Sequence, residues 1–249
     1  MSEIQGARSL SILVHADTKV GKSTFANTAP APRLLLDAEA AHRFLSGKQV
    51  YWDPMTEEPP APGDWETCVV VVREYATLMR AFEWLNVGRH GFKSVIVDSI
   101  SEVQKKLKDS IKTLDEEMNF KRWGMMLEHM EKLVRDFRDL TEHPTRPLEA
   151  VVLTAMTTNK DGKWRPYVQG QLGVTMPYFL DVIGYMFVQE IPNEDPTKQP
   201  ERVRQMLVSP HPQYEAGERV QGKLGQYITN PNVEQMLDAV FGAKEKKND

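Results

Sequence analysis

Continuous apolar runs separated by amphipathic stretches organise this chain. Five runs read as strands: SLSILVHA (9–16), RLLLDAE (33–39), TCVVVV (67–72), SVIVDSI (94–100) and EAVVLTAM (149–156). None alternates apolar with polar positions, which suits strands buried on both faces of a mostly parallel sheet. Between them the period changes. Residues 74–87 put Leu78, Phe82 and Leu85 on one helical face, and residues 122–141 do the same with Met126, Met130, Leu133 and Phe137. Strands alternating with helices imply βαβ crossovers. After residue 182 the texture shifts again. VIGYMFVQEI and RVRQMLVSP flank the polar PNEDPTKQPE, the pattern of an antiparallel hairpin at the sheet edge, and a last helix is predicted at about 232–241. The fold class is therefore α/β, with a central sheet flanked by helices.

Composition narrows this picture little. At 249 residues, one domain over 1–242 is expected, with an exposed proline-rich, acidic insertion at about 48–66 and a charged, frayed tail at 243–249. The net charge of −4 offers no global basic field for nucleic acid, so any such binding needs a local patch. Cys68 is the sole cysteine, which excludes an internal disulfide and any CxxC metal site and reads as a buried thiol. The six histidines are scattered without ligand spacing. No apolar run reaches the roughly 20 residues of a membrane span, and the opening MSEIQGARSL lacks a signal-peptide core, so a cytoplasmic protein without membrane contact is expected.

One loop changes the picture. The first apolar run leads into Ala16-Asp17-Thr18-Lys19-Val20-Gly21-Lys22-Ser23-Thr24, which has the form G-x-x-x-x-G-K-[ST] with alanine in the first glycine position. A phosphate loop needs backbone N–H groups turned inward, a cation for the outer phosphates and a hydroxyl for Mg²⁺. Gly21 supplies the close backbone approach, Lys22 an exposed cation and Ser23 the hydroxyl. Alanine is tolerated at position 16 unless that residue must adopt positive φ. Further on, SVIVDSI ends at Asp98, which has the form of the acidic partner that orients Mg²⁺. The two together, in this order, read as a site for ATP or another NTP with Mg²⁺.

DTKVGKST, LLLDAEAA and VIVDSI together resemble a RecA-like ATPase, and the overall plan is similar to phage-encoded RecA-like nucleotide-binding proteins. RWGMMLEHMEKLV, GQLGVTMPYFLDVIGYMFV and GKLGQYITNPN carry the likeness toward the C-terminus. The resemblance implies a RecA-like P-loop NTPase core with ATP at the carboxyl ends of the strands. It implies that Glu39 polarises the attacking water, with Lys22 on the phosphates and Ser23 and Asp98 on Mg²⁺. It also implies action on single-stranded DNA in recombination or annealing, a ring or filament of identical subunits, a single-strand-binding protein as a further partner, and the cytoplasm of an infected host cell. One departure stands out. Where RecA has a γ-phosphate-sensing glutamine at the end of the fifth strand, this chain has Met156, with Thr154, Thr157 and Thr158 as polar substitutes nearby.

Several residues carry two readings. Glu39 also fits a solvated loop acid, and Lys19 fits a surface lysine beside the phosphates. The stretch NKDGKWRPY sets Lys160, Lys163 and Arg165 around Trp164, the cation-plus-aromatic chemistry of a single-strand binder. Its Asp-Gly pair is equally that of a plain hairpin turn. FKRW (120–123) has the same chemistry but starts an amphipathic helix, where packing is the preferred reading. Lys223 fits a cation reaching a neighbouring subunit's phosphate or a surface lysine. Two other functions stay open: an ATPase that loads or drives a replicative helicase, and a nucleotide-gated structural protein with little turnover.

Overall fold

The computed structural model describes residues 8–112, 118–193 and 199–244. Along the chain the elements are β1 (Leu10–Ala16), α1 (Lys22–Ala26), β2 (Arg33–Asp37), β3 (Gln49–Tyr51), β4 (Thr67–Val71), α2 (Tyr75–Val87), β5 (Ser94–Asp98), α3 (Ile100–Ile111), α4 (Phe120–Asp139), β6 (Ala150–Lys160), β7 (Lys163–Pro166), α5 (Leu172–Thr175), β8 (Val182–Ile191), β9 (Glu201–Leu207), β10 (Gly217–Glu218), β11 (Tyr227–Thr229) and α6 (Val233–Phe241).

The main sheet runs in the order β11-β9-β8-β1-β6-β5-β2-β4-β3, with β10 added to β8 and β7 to β6. From β8 to β3 every pairing is parallel. β8 with β9 and β9 with β11 are antiparallel. The predicted antiparallel hairpin is thus present, but β8 also joins the parallel core and short β11, not β9, forms the edge. All seven residues of β1 are buried, as are all five of β2 and of β5. That is why their sequences lack alternation: helices cover both faces. On one face α2, α3 and α4 supply Leu78, Leu85, Val103, Met126, Met130, Leu133 and Phe137 to the core. On the other, α1 and α6 supply Phe25, Met236 and Leu237. Of FKRW, Trp123 packs onto the core under the Lys108 ammonium, while Phe120 lies exposed in solvent.

Most of the 48–66 segment is exposed, as its prolines predict, but it is not wholly an insertion. It contributes β3, which extends the sheet beside β4. It also contributes Trp52, only 4% exposed, which packs near Phe92, as does Trp65. Two large indole rings give the acidic, proline-rich stretch enough apolar area to dock. Cys68 on β4 is buried, and burial pushes its thiol up to about 12, so it stays protonated. Of the 243–249 tail, residues 245–249 lie outside the described residues. Among the described residues no helix is long and apolar enough to cross a membrane.

Candidate functional site

The loop after β1 resolves the question raised by Ala16. Ala16 is the last residue of β1, fully buried and paired with Met156 in the ladder, and it does not have positive φ. An extended residue inside a ladder needs no glycine. The chain turns instead at Lys19 (φ 63°) and Gly21 (φ 108°). Asp17, Thr18, Lys19 and Thr24 are exposed, and Val20 packs against the second core cluster. Lys22 departs from expectation. It is not an exposed cation: its side chain is folded under the loop, 9% exposed, with Nζ donating to Ala16 O at 3.1 Å and Asp17 O at 2.9 Å. Burial lowers its pKa, while Glu39, Asp98 and Asp17 pull it back up.

Sheet order explains the next contacts. Because β6 lies between β1 and β5, Thr154 of β6 sits beside Asp98, and its Oγ1 donates to Asp98 Oδ1 at 2.5 Å. Among the described residues, Asp98 Oδ2 is buried without a hydrogen-bond partner. Burial raises the Asp98 pKa, the Ser23 and Thr154 hydroxyls lower it, and Glu39 and Asp37 raise it further. A buried carboxylate oxygen without a donor, beside a serine hydroxyl, fits a hard divalent cation such as Mg²⁺. Among the described residues no three His, Cys, Asp or Glu side chains converge on a metal position. A cation here would therefore lean on one carboxylate, one hydroxyl, phosphate oxygens and water, the usual habit of Mg²⁺.

Glu39 is exposed just past the end of β2, and its Oε1 accepts a hydrogen bond from Ser99 Oγ. Ser99 also caps α3 by accepting from Glu102 N, and the Asp98–Ser99 peptide is cis. The two acids that could carry a base role next to the loop, Glu39 and Asp37, are thus very different. Asp37 is buried and saturated, with Oδ1 accepting from Glu39 N and Ala41 N and Oδ2 from His42 N and Nδ1. It organises the turn after β2 and cannot also serve as a base. Glu39 opens instead onto a cleft of about 470 Å³ shared with Arg73, Glu102, Lys106 and Met156. At Met156 the structure has no polar side chain, but the neighbouring threonines are engaged: Thr154 with Asp98, and Thr157 Oγ1 with His15 Nδ1 at 3.1 Å.

β6 does not stop at Met156. It runs to Lys160 and returns as β7 through Asp161 (φ 56°) and Gly162 (φ 78°), both left-handed, which is a two-residue type I′ turn. NKDGKWRPY is therefore a hairpin. Lys160 is exposed at its tip. Lys163 and Arg165 lean on Glu215, at 2.9 Å and 3.7 Å. The Trp164 backbone bonds to Gln213 O and Glu215 N, and its ring is half-buried. Lys223 is engaged within the chain, its Nζ donating to Val240 O at 2.7 Å near the end of α6. Thr158, the remaining threonine, faces Arg165 across the hairpin.

Sequence reasoning missed three residues here. His15, fully buried one position before Ala16, sits between Thr157 Oγ1 and the Glu215 carbonyl, 2.7 Å from Nε2. Thr154 was singled out only as a possible stand-in for glutamine, not as the partner of Asp98. Arg204, on β9, places Nε 3.1 Å from Val20 O in the loop. None had a local signal, since each meets its partner through sheet neighbours 56 to 200 residues away. A strand-borne phosphate loop, a buried acid at the end of a strand two places away and an α/β fold with a mixed sheet define a P-loop NTPase domain. Residues 8–220 match the AAA-domain family, and the chain belongs to it. It is an ATP-binding P-loop domain of the kind that hydrolyses nucleotide. A comparison with curated proteins gives no match.

Proposed function

We propose that this chain is a RecA-like ATPase that acts on single-stranded DNA in recombination or annealing of the phage type, with Mg²⁺ as its metal. The observation that carries the ATPase part is the buried, partnerless Oδ2 of Asp98 beside Ser23, with Lys22 and Glu39 around it. In this reading Ser23 and Asp98 hold Mg²⁺, which would neutralise phosphate charge. Lys22 releases the Ala16 and Asp17 carbonyls and turns to the outer phosphates. Loop amides from Asp17 to Thr24 line them. Glu39 takes a proton from the attacking water, held in place by the Ser99 hydroxyl.

The DNA part is supported by continuity. One strand, β6, carries both Thr154, bonded to Asp98, and Lys160, exposed at the hairpin tip beside Trp164. A change at the phosphates has a direct path to the hairpin without a glutamine sensor. One observation favours the rival reading of a helicase-loading or protein-docking ATPase: Glu215 neutralises Lys163 and Arg165, and among the described residues Lys160 is the hairpin cation without a carboxylate partner. Self-assembly into a ring or filament, and a single-strand-binding protein as partner, belong to the proposal.

The deciding experiment measures ATP turnover with and without single-stranded DNA, in the parent and in Glu39→Gln. Stimulation by DNA, and a loss of at least about 10²-fold in the variant with ATP still bound, are expected. Turnover indifferent to DNA would favour the protein-docking reading, and an unchanged Glu39→Gln rate would remove Glu39 from the chemistry.

A further inference from the structure

Arg204 lies in β9 on the sheet face that carries Met186 and Met206, the face packed against α1. Its stem rests on the phosphate loop: a Cβ built on Gly21 would come within 2.6 Å of Arg204 Nε and 3.1 Å of Cζ. Nε donates to Val20 O at 3.1 Å, so one of the five guanidinium donors is used. Among the described residues, neither Nη has a protein acceptor and no carboxylate pairs with the group. The contrast is on the same strand and face, where Arg202 is paired with Glu190 at 2.8 Å. The backbone at Arg204 is held on both sides, by Val188 in the ladder and by Asn230, whose Oδ1 accepts from Arg204 N while its N donates to Arg204 O at 2.7 Å. A guanidinium fixed at its Nε end, with four N–H donors free beside a phosphate loop, suits bidentate recognition of phosphate.

We propose that Arg204 is a phosphate-contacting residue of the nucleotide site, supplied by the β8–β9 hairpin of the same chain. Nε stays on the Val20 carbonyl, and the Nη groups donate to oxygens of the bound nucleoside polyphosphate. This rests on reading the loop as a nucleotide site and adds to it a cation with no counterpart in the loop motif. It also gives β8 and β9 a stake in nucleotide binding, since the strand that presents Arg204 forms with the nucleotide a second clasp opposite Lys22.

The test is calorimetric titration of the full chain with Mg²⁺ and ATP, ADP or AMP, for the parent, Arg204→Met, Arg204→Lys and Lys22→Ala, with the melting temperature of each nucleotide-free protein. Arg204→Met keeps the stem on Gly21 and removes the charge. It is expected to bind ATP about 10- to 100-fold more weakly, the range of a charge-assisted hydrogen-bonded contact, with a smaller loss for AMP. Arg204→Lys keeps the charge without the fork and is expected to fall between parent and Arg204→Met. If bracing the loop were the whole role, the Lys and Met variants would be equal and the loss would be the same for all three nucleotides, and that result overturns the proposal. Parent-like ATP affinity in Arg204→Met, with binding lost in Lys22→Ala, overturns it too while leaving the nucleotide site standing. Parent-like affinity in both variants would instead reject the site reading itself. Should Arg204→Met melt before titration, the Lys variant and the ATP-to-AMP comparison carry the same decision.

Discussion

His15 makes the stability of this protein depend on pH in a way that can be isolated. The ring is fully buried, with Nε2 facing a carbonyl, Glu215 O, that can only accept. Nε2 therefore carries the proton, and Nδ1 is left unprotonated facing the Thr157 hydroxyl, whose single proton it shares with the Arg165 carbonyl. Protonating Nδ1 would put a charge in the interior, close enough to Lys22 to feel its ammonium. Burial first, and then Lys22, hold the His15 pKa down at about 4 against an ordinary 6.5, although the Glu215 bond works the other way. The folded pKa is depressed, so the folded form binds fewer protons than the unfolded chain. Stability from this group is complete above about pH 6.5 and is lost as pH falls to about 4. At roughly 1.4 kcal/mol for each pH unit, the loss comes to about 3 kcal/mol. Carboxylates titrate in the same range, so the measurement is a difference. Urea unfolding of the parent and of His15→Gln, whose neutral amide does not titrate, is followed from pH 7.5 to 4. The stability difference between the two should shrink or reverse by about 3 kcal/mol over that interval. A difference that stays constant with pH would refute a neutral, buried His15.

Other outcomes follow from the same geometry. Lys22→Ala should abolish ATP binding, while nucleotide-free stability changes by no more than about 1–2 kcal/mol, because relief of the buried ammonium offsets the two missing carbonyl bonds; parent-like ATP affinity by calorimetry would reject the phosphate-loop assignment. Thr154→Val, nearly isosteric, takes the donor from Asp98 Oδ1 and should cost about 1–3 kcal/mol in denaturant unfolding while weakening Mg²⁺ dependence. Mg²⁺ titration of nucleotide binding indistinguishable from the parent's would mean that Thr154 does not tune that carboxylate. Neutralising Lys160, Lys163 and Arg165 together should weaken single-strand binding and flatten its salt dependence, by roughly 0.7 in log–log slope for each DNA phosphate left without its cation. Parallel salt plots in fluorescence anisotropy would leave the hairpin without a DNA role, and a slope change of only about 0.7 would assign the phosphate to Lys160 alone.

What the chain revealed on its own depended on how locally each feature is encoded. The buried strands β1, β2, β5 and the first half of β6 stood out because side chains on both faces are apolar. The second half of β6 did not, since Thr157 to Lys160 pair with β7 outside the core, where nothing demands apolar side chains. The loop and Asp98 were legible as motifs. The role of Lys22 as an internal brace was not, because a lysine's burial depends on which carbonyls the folded loop presents. His15, Thr154 and Arg204 were beyond reach for a topological reason: sheet order, not sequence order, makes them neighbours of the loop and of Asp98. The proline-rich 48–66 stretch is mostly exposed, as its composition predicts, but that composition hid short β3 and the two tryptophans that dock near Phe92.

The ends of the main sheet bear on how this protein can associate. Both outermost strands, β3 and β11, are three residues long. An unpaired strand edge is a template for another chain's backbone in proportion to its length, and each edge here offers room for only a few such bonds. Among the described residues, neither outermost strand offers more than a short template for sheet extension by a second copy. A test of self-association would therefore begin with surface side chains on the helical faces and loops rather than with strand pairing.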